Sequence, residues 1–498
     1  MYPPTKTQSN FAALVMAIAL LSSEFAQSVE LHKTGCVTRA GSIEEKTQLE
    51  NGIRGQVKFL YEGEVLSSIA HKINTYKIPA LSLAVIKHGE IEWADIYQNA
   101  HFPLRHPLDC TSLFQAASLS KPVTFMAAVR MQAAGKIDLD KNIQDYLKSF
   151  VLPAGKQTAK NPVTLRNIFS HTSGITPGGY QGYAKDLALP SDISILKGSI
   201  GVNSSAIAVI TPPNQTLAYS GGAYTLAELA LQDIHNTDFA MLMKTWILDP
   251  AGMKHSEFTQ PLPVARFNRA AQGYTSAGDV VAGGWRNYPE QAAAGLWSTS
   301  IDMATFLTEI YKGYHGKSAL FSQSDIRSLI SHTRDGHAYG FLLNRTDDDV
   351  VITHYGGNTG YNTGMTISLT SGNGLVYLIN SDNGWELGRD LFLSASHIYQ
   401  WKTFKQTDVE RKPVDKAVLK KLQGKYKWNN QDEFTVRFDE KSHFISLRFP
   451  GGTEYNLTPI VGANLAFIHA NTGTAVTFLI ENGVPSFHLY GGMALKQN

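Results

Sequence analysis

The stretch Phe114 to Gly135, FQAASLSKPVTFMAAVRMQAAG, decides how the rest of the chain is read. In it Ser118 and Lys121 stand three residues apart, so on a helix they share a face, one turn from each other. A serine hydroxyl is a weak nucleophile until a nearby base takes its proton, and an amine one turn away can serve. Pro122 fixes where the helix starts. Lacking an N–H, it cannot donate to the Ser118 carbonyl, and it belongs in the first helical turn. The helix is therefore expected to begin near Ser118 and to run to about Ala134, with Gly135 as the stop. The Ser118 amide is then one of the donors that a helix start leaves unpaired.

Strand patterns lie on both sides of this helix. Upstream, residues 56–76 read as an amphipathic helix ended by Pro79, residues 81–87 (LSLAVIK) as a strand, His88-Gly89 as a turn and residues 90–97 as the returning strand. Helical patterns are expected within 165–175, 223–234 and 299–311, the last opening with Thr299 and Asp302 in capping-box spacing. Strands return at 350–355, 365–369 and 375–380. Strands at both ends with helices between imply an α/β (α+β) fold, an antiparallel sheet closed by its first and last strands and flanked by helices. From Lys405 charge becomes dense around Pro413, and beyond Gly424 short alternating strands follow one another. The expected organisation is a catalytic domain over 29–404, a linker over 405–420 and a small all-β domain over 421–498, a barrel or sandwich read as barrel-like.

Residues 1–28 carry an address. Lys6 is the only charge before Glu24, residues 11–21 (FAALVMAIALL) are unbroken apolar, and Ala26-Gln27-Ser28 offers small residues for cleavage. The run is short for a bilayer span, and it reads as a secretory signal peptide; an uncleaved anchor helix is the alternative. The expected location is periplasmic or secreted, with no stable membrane span after cleavage. A net charge of +2 over 498 residues gives no field that would attract nucleic acid. Cys36 and Cys110 both lie in the exported part, where either a disulfide or two buried thiols is possible. His32, His101 and His106 show no metal-ligand spacing, and no Gly-x-Ser-x-Gly elbow occurs.

Short motifs need chain order to mean anything. A second Ser-x-x-Lys, Ser194 to Lys197, reads as loop coincidence without a helix start. Lys33-Thr34-Gly35 and Tyr97-Gln98-Asn99 precede the serine, and Ser381-Asp382-Asn383 follows the last core strands as a turn. Tyr219-Ser220-Gly221 and His354-Tyr355-Gly356-Gly357 stand in a workable order. With IPALSLAVIKHGEIEWA, FQAASLSK, LRNIFSHTSGI, LAYSGGAYTLAELAL, DPAGMKHSEF, AAAGLWSTSIDMATFL and ITHYGGNTGYNTG, the chain resembles the β-lactamase-related serine hydrolases over residues 78–399. That group includes class C β-lactamases, penicillin-binding proteins, DD-peptidases and esterases.

The resemblance implies that Ser118 attacks an acyl carbonyl, that Lys121 manages its proton and that Tyr219 relays a proton to the leaving group. It places His354, Tyr355 and Gly356 on a substrate-binding strand, with Gly221 opposite, and the Ser118 and Gly357 amides in the oxyanion hole. Losing one such donor raises a barrier by ~3 kcal/mol. The family usually has asparagine where Gly221 stands, which leaves ester chemistry more open than amide or β-lactam chemistry. Histidine at 354 is largely neutral above pH ~6.5 and does not offer the fixed cation a carboxylate would seek. Read without the family, Tyr219 is a core tyrosine, His354 a satisfied structural histidine and His171 in SHTSG structural. The expected activity is hydrolysis of an amide, β-lactam or ester of a small molecule or D-amino-acid peptide, with no cofactor and no metal. The competing reading is a catalytically weak or inactive member of the family that serves as a binding or scaffolding protein.

Overall fold

The structure is a computed structural model that describes residues 31–331, 334–428, 432–440, 444–450 and 452–497. The expected signal peptide lies outside these residues.

The middle of the molecule is an eight-stranded antiparallel sheet among the described residues. In chain order its strands are β1 (Leu31–Thr38), β2 (Ala80–Lys87), β3 (Glu90–Asn99), β4 (His337–Ala338), β5 (Phe341–Arg345), β6 (Val350–Asn358), β7 (Tyr361–Ser368) and β8 (Gly374–Ile379). Their spatial order is β1-β3-β2-β8-β7-β6-β5-β4. The first and last strand groups join where β2 pairs with β8, Ile86 opposite Gly374. Successive strand residues face opposite sides of a sheet. Ala84 and Ile86 accordingly sit in one core and Leu81, Leu83 and Val85 in another. Both faces are buried, so these strands read as continuous apolar runs and not as alternation.

One face carries the helical layer. It holds α1 (Ser120–Ala133), α2 (Gly221–His235), the short α3 (Gln291–Ala294) and α4 (Ser300–Tyr314). The other face carries α5 (Gly384–Ile398), whose Leu387 and Leu391 pack over Tyr377 and Ile379. The expected caps form: Thr299 accepts from Asp302 N at the start of α4, and Gly135 follows α1 with φ +67°. Cys36 of β1 and Cys110 are joined as a disulfide, which ties an edge strand to the segment leading into Ser118.

Two expectations are overturned. Residues 56–76 are not one helix. Val57–Phe59 form a strand paired in parallel with Thr407–Val409, and only Ile69–Thr75 is helical. Val57 and Phe59, taken for part of a helix face, serve that strand, and its partner lies in the region expected to be linker. Ser194 does have a helix start: Ser191 caps Asp192–Lys197, which ends at Gly198 in the left-handed region. Ser381-Asp382-Asn383 is a turn, as expected.

The all-β region is a closed barrel of eight strands between Gly424 and Lys496, with Tyr426, Val436, Leu447, Phe467, Phe478 and Phe487 inside. Closure decides the choice between barrel and sandwich, and it leaves no unpaired sheet edge. The helix Lys416–Leu422 packs on it through Leu419 and Leu422. Arg389 of α5 donates to the Thr472 carbonyl at 2.8 Å, which links barrel and sheet region.

Candidate active site

Ser118 lies in a tight turn, Ala117–Leu119, that feeds α1. Ala117 has φ +52°, a left-handed conformation unusual for a residue with a Cβ. Neighbouring bonds hold the turn. Ser120 Oγ donates to Ala117 O at 2.6 Å and accepts from Leu296 N at 3.0 Å, and Ala116 N donates to Leu296 O at 2.8 Å. Ser118 itself is half-buried, on the rim of the helix start.

One turn on, Lys121 is buried, and its Nζ donates to Ser118 Oγ at 3.1 Å and to Ala293 O at 2.7 Å. The same nitrogen lies over the rings of Tyr219 (4.8 Å) and Tyr224 (5.6 Å). Among the described residues no carboxylate pairs with it. Its surroundings are therefore a carbonyl, a hydroxyl and two ring faces, which hold an amine without neutralising a charge.

Tyr219 precedes α2 and is 39% exposed. Ser220 caps that helix by accepting from Ala223 N at 2.9 Å. The Tyr219 hydroxyl makes no hydrogen bond among the described residues. Its ring stacks on His171 at 4.4 Å.

The β6 strand supplies the opposite wall. Val350 O accepts from Leu369 N on the β7 side, and Thr353 pairs with Leu342 of β5. Backbone groups of an antiparallel strand alternate sides, so even-numbered residues ladder to β7 and odd-numbered ones turn to β5. Since β5 begins at Phe341, the Tyr355 and Gly357 edges have no strand beside them. Gly356 rests on the Ser118 turn: a Cβ there would lie 3.0 Å from Ser118 N and 2.7 Å from Ala116 O. A Cβ at Gly357 would meet open space. Gly357 itself is exposed, next in the chain to the glycine that rests on the Ser118 turn.

His354 points inward, with its ring 6.5 Å from Tyr219. Burial, with Lys121 and His337 nearby, lowers its pKa to about 3, so it is a neutral imidazole at ordinary pH. The Tyr355 side chain does not join the site. It faces the other side of the sheet, against Trp385 at 5.1 Å and Phe392 at 5.7 Å, and burial pushes its hydroxyl up to about 12. Gly221 is buried, and the ring of Tyr180 covers it: a Cβ at Gly221 would meet Tyr180 Cε2 at 3.0 Å and Gly178 O at 3.2 Å.

A family model described as beta-lactamase matches residues 65–397, which is well over half the chain. The chain belongs to the beta-lactamase family. This family is one of serine hydrolases. Penicillin-binding protein 4* of Bacillus subtilis is 24% identical over 430 residues, covering 81% of this chain and 90% of that one. The octameric penicillin-binding protein homologue from Pyrococcus abyssi shares the fold at a TM-score of 0.55 and 19% identity, covering 86% and 98% of the two chains. The Beta-lactamase/D-alanine Carboxypeptidase of Yersinia pestis gives a TM-score of 0.50 at 20% identity, covering 66% and 95%.

In this beta-lactamase family member, sequence reasoning missed the groups behind the site. Glu228 of α2 is fully buried and accepts from Ala292 N at 2.8 Å, which anchors the short helix that offers the Ala293 carbonyl to Lys121. Glu290, just before that helix, is fully buried, and neither carboxyl oxygen has a partner among the described residues. Burial pushes its pKa up to about 8. A glutamate inside an apolar helical pattern was the available signal for Glu228; nothing local marked Glu290.

Proposed function

We propose that the chain is an exported serine hydrolase that works through an acyl-enzyme on Ser118, with carboxylic esters as its preferred substrates. The observation that carries this is the 3.1 Å approach of Lys121 Nζ to Ser118 Oγ at a half-buried helix tip. Ser118 Oγ forms a bond to the substrate carbonyl carbon, and its proton passes to the Lys121–Tyr219 pair. The oxyanion that develops accepts hydrogen bonds from the Ser118 and Gly357 amides. As the bond to the leaving group breaks, the same pair returns the proton to it. Water then attacks the acyl-enzyme, delivers a proton to the pair and frees Ser118.

The preference for esters rests on two features. Tyr180 fills the space beside Gly221, so no side-chain amide is available there for a substrate amide. His354 is neutral, so it offers a substrate carboxylate no fixed charge. Export rests on the apolar run at 11–21 and the small residues before position 28. No helix among the described residues is long and apolar enough to cross a membrane.

A fluorophosphonate probe tests the reading. Wild type should be labelled, Ser118→Ala should not, and Lys121→Met should be labelled about 100-fold or more slowly. A p-nitrophenyl ester should be turned over faster than a chromogenic β-lactam. Absence of labelling with every serine-directed reagent would favour a binding protein that keeps the fold without the chemistry.

A further inference from the structure

Tyr219 stands in a loop, is partly exposed and has a hydroxyl with no partner, so something other than its own hydrogen bonding must hold it. One residue does so from three directions. His171 O accepts from Ala218 N at 2.8 Å, and His171 Nδ1 accepts from Ser220 N at 3.1 Å. These two bonds fix the backbone on either side of Tyr219. The imidazole ring between them stacks on the Tyr219 ring at 4.4 Å with 30° between planes. His171 can do this because its backbone is left-handed, with φ +57°. That turn lets a carbonyl and a side chain of the same residue reach one short segment. Histidine and asparagine are among the few residues with a Cβ that tolerate the conformation.

We infer that His171 is the positioning residue for Tyr219, acting only as the neutral imidazole protonated at Nε2. This rests on the proton-relay role proposed for Tyr219. The tautomer follows from geometry. Nδ1 accepts the Ser220 N–H and so carries no proton, while Nε2 is buried without a partner among the described residues. A second proton would set Nδ1–H against Ser220 N–H, donor against donor. The groups that face the ring all favour the neutral form. Lys121 from α1, His354 from β6 and His337 from β4 are cations or potential cations, and Tyr219 and Tyr224 offer ring faces. Burial first, and these neighbours next, hold its pKa well below the usual imidazole range. The site thus keeps a rigid, uncharged plane against the phenol. Misplacing a reacting group by about 1 Å can cost roughly 100-fold in rate, which sets the scale of the effect.

Three variants test this in the intact chain, read by fluorophosphonate acylation. His171→Gly removes ring and acceptor without a penalty at positive φ; His171→Asn places an amide oxygen near the Nδ1 position; Tyr219→Phe tests the underlying role. The expected result is a limiting acylation rate about 10- to 100-fold lower in H171G, with the half-saturating probe concentration within about threefold of wild type, and recovery to within about fivefold in H171N. Histidine nitrogen NMR should show one resonance, absent from H171N, with the neutral Nε2–H pattern from pH 5 to 8. Wild-type rates in H171G alongside an impaired Y219F would overturn the inference and leave the Tyr219 role standing. Equal rate losses in H171G and H171N, tracking a common drop in Tm, would overturn it in favour of a purely structural residue. A titrating His171 resonance in that pH range would overturn the tautomer assignment. Full activity in Y219F would remove the Tyr219 role itself.

Discussion

At the scale of single residues, the site depends on how closely β6 lies against the Ser118 turn. A methyl group at Gly356 would fall 2.5 Å from Thr363 Oγ1 and 2.7 Å from Ala116 O, beside the Ser118 amide. Gly356→Ala should therefore cost about 1–3 kcal/mol of stability by overpacking. It should also reduce fluorophosphonate labelling well beyond what that loss explains, because the strand must move away from the turn. Gly357→Ala, with nothing within 4 Å of its new methyl, should leave the Tm near wild type and keep the amide in place. Labelling rates and Tm measured side by side check this, and similar behaviour of the two variants would contradict it. Ser118 and Lys121 were paired in the sequence by their three-residue spacing ahead of Pro122, whereas Tyr219 and His354 were singled out only through the family resemblance. The roles of His171 and Tyr180 were not legible. A ring stacked on a phenol, or covering a glycine fifty residues away or nearer, leaves no periodic trace in the chain.

At the scale of elements, the sheet is sandwiched so tightly that glycines become packing positions. A Cβ on Gly388, inside α5, would sit 2.2 Å from the Tyr377 ring, and one on Gly364 of β7 would sit 2.4 Å from it on the other side. Helix propensity alone favours alanine over glycine by ~1 kcal/mol. Here the packing penalty should win, so Gly388→Ala should lower the midpoint of denaturant unfolding although it adds a better helix former. A raised midpoint would mean that Tyr377 can move aside. Elements with strong local signals were readable: α1 from Pro122 and Gly135, α4 from its cap, and the β2–β3 hairpin from His88-Gly89. The segment 56–76 was misread because Val57–Phe59 gain their partner from Thr407–Val409, and strand preference is decided by such neighbours. At Ser191 and Gly198 both ends of a helix were signalled and could have been used.

At the scale of the whole molecule, buried groups of opposite type set limits at both ends of the pH range. His354 has a pKa of about 3 in the fold against 6.5 when unfolded. The unfolded chain binds that proton first, so stability is full above pH ~6.5 and falls as pH drops toward 3. Glu290 has about 8 in the fold against 4.5 unfolded. Its contribution is complete below pH ~4.5 and is lost as pH rises through 8. Tm should therefore pass through a maximum at mildly acidic to neutral pH. Glu290→Gln keeps the shape without the charge, so it should flatten the alkaline side and raise Tm relative to wild type at pH 8. Curves for variant and wild type that stay parallel from pH 5 to 8 would refute this. The fold class was legible because strands at both ends of a helical middle leave few arrangements. The barrel-like character of the last region was legible in its short alternating strands; its strand count was not, since strands such as Glu454–Pro459 and Gly492–Lys496 are too short to stand out before their neighbours pair with them.

The join between β2 and β8 bears on how this molecule is born. Ile86 meets Gly374, and through this pairing the strands that precede the serine join the sheet strands that follow it. Contacts so distant along the chain form late and slowly. A nascent polypeptide still short of β8 has its serine and β6 but cannot close the sheet, so the hydrolytic activity proposed for Ser118 is expected only once nearly the entire catalytic region has left the ribosome.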